Sequence, residues 1–94
     1  MDRHDSIQYI TTRVTGAALY EQMAEEAAEL AHAALKLSRI ARGENPTPTT
    51  LCEATEHLVE ELSDLALILE VAGQQPDPEQ MDKKLARWVA RLKC

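Results

Sequence analysis

Four carboxylates stand out by type and spacing: Glu26 with Glu29, and Glu61 with Asp64, each pair three residues apart. Residues three or four apart on a helix share a face, so each pair can close on one ion. Their place in the hydrophobic pattern separates them from ordinary surface charge. Around Glu21–Leu37 the apolar residues fall at Leu19, Met23, Leu30, Leu37 and Ile40, the period of an amphipathic helix. At about 100° per residue, Glu26 lies inside that stripe and Glu29 at its shoulder. A second stretch repeats the arrangement, with a stripe of Leu51, Leu58, Leu62, Leu65, Ile68 and Leu69 and with Glu61 and Asp64 on its edge. A carboxylate aimed at a core is costly unless something pairs with it, and no cation shares the stripe of Glu26. Two such helices packed antiparallel bring four carboxylates together, and these cannot all stay ionised at close quarters unaided. An oxygen-liganded divalent cation, magnesium first among them or manganese in its place, resolves the conflict.

The elements that must position these acids are helical. Ala, Leu and Glu lead the composition, Gly and Pro are scarce and Phe is absent, which makes an all-α fold the natural expectation. The 94 residues fit a single domain. Residues 1–16 form an N-terminal arm or short helix: Ile7, Ile10 and Val14 share a side, and Asp5 or Ser6 is the candidate cap, but Ile, Thr and Val lower helix propensity. Thr15 and Gly16 break this pattern. The main helices are expected at 17–42, 49–72 and 77–92.

Punctuation between them is clear. Gly43, Pro46 and Pro48 stop the second helix; Thr50 with Glu53 has the form of a capping box; Asp77 with Pro78 is a helix start, Asp capping and Pro at the first position. The last helix carries Met81, Leu85, Trp88 and Leu92 as its stripe. Amphipathic helices in so short a chain rarely hide all their apolar surface alone. Leu35, Val59 and Leu67 lie off the main stripes and are spare surface for a partner, so the expected architecture is an antiparallel helical bundle completed by homo-oligomerisation.

A formal charge of −6 argues against a nucleic-acid-binding surface, which needs a basic footprint. It leaves room for a nucleotide whose phosphates meet the acids through metal ions. Cys52 and Cys94 make no disulfide framework, no apolar run spans a bilayer, and no signal peptide is visible, so a cytoplasmic protein with free thiols is expected. Lys36 lies on the flank of Glu25 and Glu29, placed to meet a phosphate oxygen or to serve as a last-turn cation. Lys83, Lys84, Arg87 and Arg91 have the same two readings. His57, one turn before Glu61, and Trp88, in the last apolar stripe, fit simple surface and packing roles at least as well as chemical ones. Gly-rich phosphate loops, Ser-His-Asp or Cys-His arrangements and zinc spacings are absent. An enzyme reading therefore rests on the carboxylates.

Glu25-Glu26-Ala27-Ala28-Glu29 followed by Glu61-Leu62-Ser63-Asp64 resembles the signature of the MazG-like all-α nucleoside triphosphate pyrophosphohydrolases, Glu-Glu-x-x-Glu then Glu-x-x-Asp. The resemblance covers roughly residues 17 to 92. Its interval from Glu29 to Glu61 is longer than the usual pattern, which implies an extended loop around residues 45–50.

Carried onto this chain, the resemblance implies that Glu26, Glu29, Glu61 and Asp64 bind magnesium. It further implies cleavage of a ribo- or deoxynucleoside triphosphate between the α and β phosphates, a role in nucleotide-pool housecleaning, and a homodimer or a dimer of dimers. Glu25 or Glu29 is placed to orient or deprotonate the attacking water, and Lys36, Lys84 and Arg87 are the candidate substrate contacts. Phosphoribosyl-ATP pyrophosphohydrolase is the related alternative, although the lysine-rich lead-in of that family is missing. A non-catalytic helical interaction module is the alternative from another class.

Overall fold

The computed structural model describes residues 1–44 and 48–94. Four helices follow in order: α1 (Arg3–Thr11), α2 (Gly16–Ala41), α3 (Leu51–Val71) and α4 (Pro78–Lys93). No strand occurs among the described residues, so the fold is all-α. The extended loop expected around residues 45–50 lies partly outside the described residues, at 45–47.

Local chemistry sets each boundary. The α1 cap is Asp2 rather than Asp5 or Ser6: its Oδ1 accepts from the Asp5 amide at 2.8 Å, so Asp5 is already inside the first turn. The Thr15 hydroxyl accepts from Ala18 N and opens α2. At the start of α3 the Thr50 hydroxyl accepts from Glu53 N at 3.1 Å and donates to Glu53 Oε1 at 3.2 Å, a capping-box variant closed through the hydroxyl. Asp77 caps α4 through Glu79 N and Gln80 N, with Pro78 at the first position.

The C-termini of α2 and α3 use one device. Gly43 and Gly73 sit at φ +71° and +72°, and the amides beyond each helix turn back to its last carbonyls: Glu44 N to Arg39 O and Gln74 N to Leu69 O, both at 2.9 Å. That is the Schellman geometry, which needs a left-handed residue and so favours glycine.

α2 and α3 form an antiparallel hairpin and bury the core along their seam. Leu19, Ile68 and Val71 are its buried cluster, with Ile7, Val14, Met23 and Leu65 packed against it; Ala33 and Ala54 are buried further along. α1 lies across the end of α3, where Arg3 Nε donates to Glu70 Oε1 at 2.9 Å and a second, parallel bond runs from Arg3 Nη2 to Glu70 Oε2. α4 stands apart, with every one of its residues exposed. The radius of gyration is 17.2 Å, against about 12 Å for a compact chain of this length.

Candidate metal centre

The seam repeats every seven residues, the spacing that keeps one face of each helix turned to its neighbour. On α2 the repeat is Leu19, Glu26, Ala33; on α3, running the other way, it is Ile68, Glu61, Ala54. Leu19 and Ile68 share the buried cluster, and Glu26 meets Glu61 two turns further on. The same register sets Ala33 against Ala54, both buried. Two glutamates thus occupy a core layer bracketed on both sides by apolar layers.

Their environment follows from that position. Glu26 and Glu61 are half-buried, and Oε2 of each is sealed from solvent with no hydrogen-bond partner. Glu29, exposed on the rim, completes a group in which one carboxylate oxygen from each residue lies within 4.8 Å of the other two. Oxygens on a single magnesium at about 2.1 Å are at most about 4.2 Å apart, so small side-chain rotations fit this group to one ion.

Burial raises the pKa of Glu26 above its ordinary value, and the carboxylates of Glu29, Asp64, Glu61 and Glu25 raise it further. Glu61 is also raised, first by burial, then by hydrogen bonding with Glu29 and the charges of Glu29 and Asp64; nearby His57 opposes the shift. Every charge acting on Glu26 is negative. The donor set is therefore hard oxygen and crowded, with His57 beside Glu61 its one neighbouring cationic group among the described residues and none acting on Glu26, which suits a divalent cation.

The other candidate residues are placed less tightly. Asp64, one turn from Glu61, lies outside the group of three but acts on both half-buried glutamates and lines a cleft with Glu26. Glu25 is exposed beside Glu26. Lys36 is half-buried on α2, seven residues beyond Glu29, or about 10 Å along the helix. Lys84 and Arg87 lie on α4, and neither makes an ion pair with the acids among the described residues.

His57 Nε2 lies 3.2 Å from Glu61 Oε1. Cys52 and Cys94 are exposed and free. No helix among the described residues is long and apolar enough to cross a membrane.

The periodicity of a single helix did not reveal the cleft that adjoins the acids. It is open, about 270 Å³ in volume, and runs from Glu26, Asp64 and Gln22 onto an apolar floor that includes Ile10, Val14 and Leu67. It exists because α1 folds over the end of the hairpin. The sequence signal for it was Ile7, Ile10 and Val14 on one side of the N-terminal segment, which had no assigned partner surface. Compared with protein-family models, curated proteins and solved structures, the chain matches none.

Proposed function

We propose that this protein is a magnesium-dependent nucleoside triphosphate pyrophosphohydrolase with a MazG-like helical bundle, acting on the cytoplasmic nucleotide pool. The observation that carries the reading is the sealed, unpartnered Oε2 of both Glu26 and Glu61, in a core layer beside Glu29. Two carboxylates retained in a hydrophobic seam, each with an oxygen that nothing pairs, disfavour the empty state and favour a bound hard ion. When bound, magnesium supplies phosphate neutralisation, polarisation of a phosphoryl oxygen and a more acidic water.

The chain's own residues supply the rest. Glu26, Glu61 and Glu29 hold the ion, and Asp64 completes the acidic wall toward the cleft. Glu29 or Glu25, both exposed at the rim, accepts the proton of the attacking water. Attack on the α-phosphorus breaks its bond to the oxygen bridging the α and β phosphates, giving the monophosphate and pyrophosphate. The apolar cleft beside Glu26 and Asp64 receives the nucleoside, and Gln22 offers it a carboxamide donor and acceptor.

The direct test is incubation with a panel of ribo- and deoxynucleotides, with and without magnesium, separating pyrophosphate from orthophosphate. Pyrophosphate with monophosphate, abolished by chelator, is the expected result. Orthophosphate release, or turnover that persists in chelator, overturns the mechanism.

A further inference from the structure

His57 touches the acidic centre, yet the chemistry proposed above gives it nothing to do. It stands on α3 one turn before Glu61, and Asp64 stands one turn after. At about 100° per residue, His57 and Asp64 fall within about 20° of each other, on the same flank of Glu61. The two neighbours differ in what they meet. Asp64 lines the cleft with Glu26. His57 brings Nε2 to 3.2 Å from Glu61 Oε1, and it does not belong to the group formed by Glu26, Glu29 and Glu61. It contacts a ligand without standing among the ligands.

No other side chain of α3 has a proton to spare for Glu61. The helix has no lysine or arginine. Its hydroxyls and thiol are engaged elsewhere: Thr55 Oγ1 donates to Leu51 O at 2.8 Å, Ser63 Oγ to Val59 O at 2.7 Å, and Cys52 Sγ to Glu56 Oε1 at 3.7 Å. As a simple helix stabiliser the pair is poorly arranged, because an acid placed before its base at i, i+4 does better than the reverse. The imidazole is half exposed, whereas the Glu61 side chain is only 12% exposed. A wet ring thus reaches in to a shielded carboxylate.

The contact makes the two seam glutamates unequal. Both keep Oε2 sealed and unpartnered, but Glu61 has its Oε1 met from outside the group of three. A carboxylate held at one oxygen presents the other in a fixed direction. Metal-binding carboxylates take their orientation from outer contacts of this kind.

We propose that His57 is a positioning residue of the metal centre: through Nε2–H it holds Glu61 Oε1 and leaves Oε2 as the oxygen offered to the ion shared with Glu26 and Glu29. This rests on the metal-binding part of the reading above. Nε2 carries a proton in the imidazolium and in one neutral tautomer, so the role calls for a donor and not for a charge. Loss of the donor lets the carboxylate rotate and weakens the site without removing a ligand.

Titration calorimetry with magnesium alone, and with manganese alone, tests this without reference to turnover. His57→Ala is expected to weaken binding about tenfold or more, with helical circular dichroism unchanged, since Ala is the better helix former. His57→Gln, whose carboxamide donates from a similar reach, is expected to recover most of that loss. Parental affinity in His57→Ala overturns the proposal and leaves the metal centre standing, whereas a parent without saturable binding overturns both. Equal weakening by His57→Gln and His57→Ala also overturns it, because the donated proton would then be irrelevant. A loss in His57→Ala as complete as in Glu61→Gln would make the imidazole a ligand in its own right and end the positioning role. Should His57→Ala lose helix, His57→Leu provides the same comparison.

Discussion

Glu26 and Glu61 occupy one layer of the α2–α3 seam, two helical turns from the Leu19–Ile68 layer, and each turns a sealed, unpartnered oxygen inward. Burial and neighbouring carboxylates raise both pKa values, so without metal the folded chain holds protons more tightly than the unfolded one. Stability from these groups is fully present below the ordinary carboxylate pKa and is lost as pH rises through the raised values. Metal-free protein is therefore expected to melt at progressively lower temperature over that interval. Saturating magnesium should raise the melting temperature at neutral pH and have little effect where the acids are protonated. Thermal melts across pH, with and without chelator, check this; a magnesium response unchanged by acidification would contradict it.

Replacing the acids separates stability from activity. Glu61→Gln removes a buried negative charge while keeping the side-chain shape, so the metal-free variant should melt at or above the parental temperature at neutral pH, with helical circular dichroism retained. Turnover should be nearly abolished, and Asp64→Asn should also be severely impaired. Glu26→Leu extends the apolar seam and is expected to be the most stable and the least active of the three. Parental rates in Glu61→Gln would remove the ligand assignment.

Features set by a few neighbouring residues were the most legible in the sequence. Thr50 with Glu53 and Asp77 with Pro78 mark helix starts because a cap and its amide lie within one turn. Gly43 and Gly73 mark stops for the same local reason. The α1 start was less clear, because Asp2, Asp5 and Ser6 are all capable caps and the Arg3–Glu70 fork joins residues 67 positions apart. The acid pairs could be placed on their own helices, but the meeting of Glu26 with Glu61 needed the register between helices. Its signal was the seven-residue echo of Leu19, Glu26 and Ala33 in Ala54, Glu61 and Ile68. Asp64 falls outside the closest group because three residues turn it along α3 toward the α1 cleft.

The α1 contact makes an opposite pH prediction. Hydrogen bonding and charge from Arg3 hold Glu70 below its ordinary pKa. That contribution is present above the ordinary carboxylate pKa and is lost as pH falls through the depressed value. Both side chains are substantially exposed, so the global effect should be small and salt-sensitive. Locally it should be visible: Arg3→Ala is expected to speed amide exchange in residues 3–11 and leave the α2–α3 seam unchanged. Equal acceleration in both regions would mean that α1 is integral to the core and not a separately docked element.

Backbone devices predict costs independent of the site. Gly73→Ala forces a side chain into φ +72°, which should cost about 1–2 kcal/mol. Thr50→Ala removes the α3 cap at a cost of about 1 kcal/mol. Denaturant melts should show both losses with little change in slope, and a neutral Gly73→Ala would remove the strained-turn assignment.

Gln22 offers a test of substrate choice. It stands at the rim of the cleft with Glu26 and Asp64, above an apolar floor that suits the flat face of a base or sugar. A neutral carboxamide there can donate and accept a hydrogen bond without altering the charge that holds the metal. Gln22→Ala should therefore raise KM by roughly tenfold for the preferred nucleotide, the equivalent of one lost hydrogen bond, while kcat and the magnesium-induced rise in melting temperature stay near parental values. The increase should be uneven across bases or sugars, since only some present a complementary edge. A uniform fall in kcat would place Gln22 in the catalytic chemistry instead, and an unchanged KM across the whole panel would place the nucleoside outside this cleft.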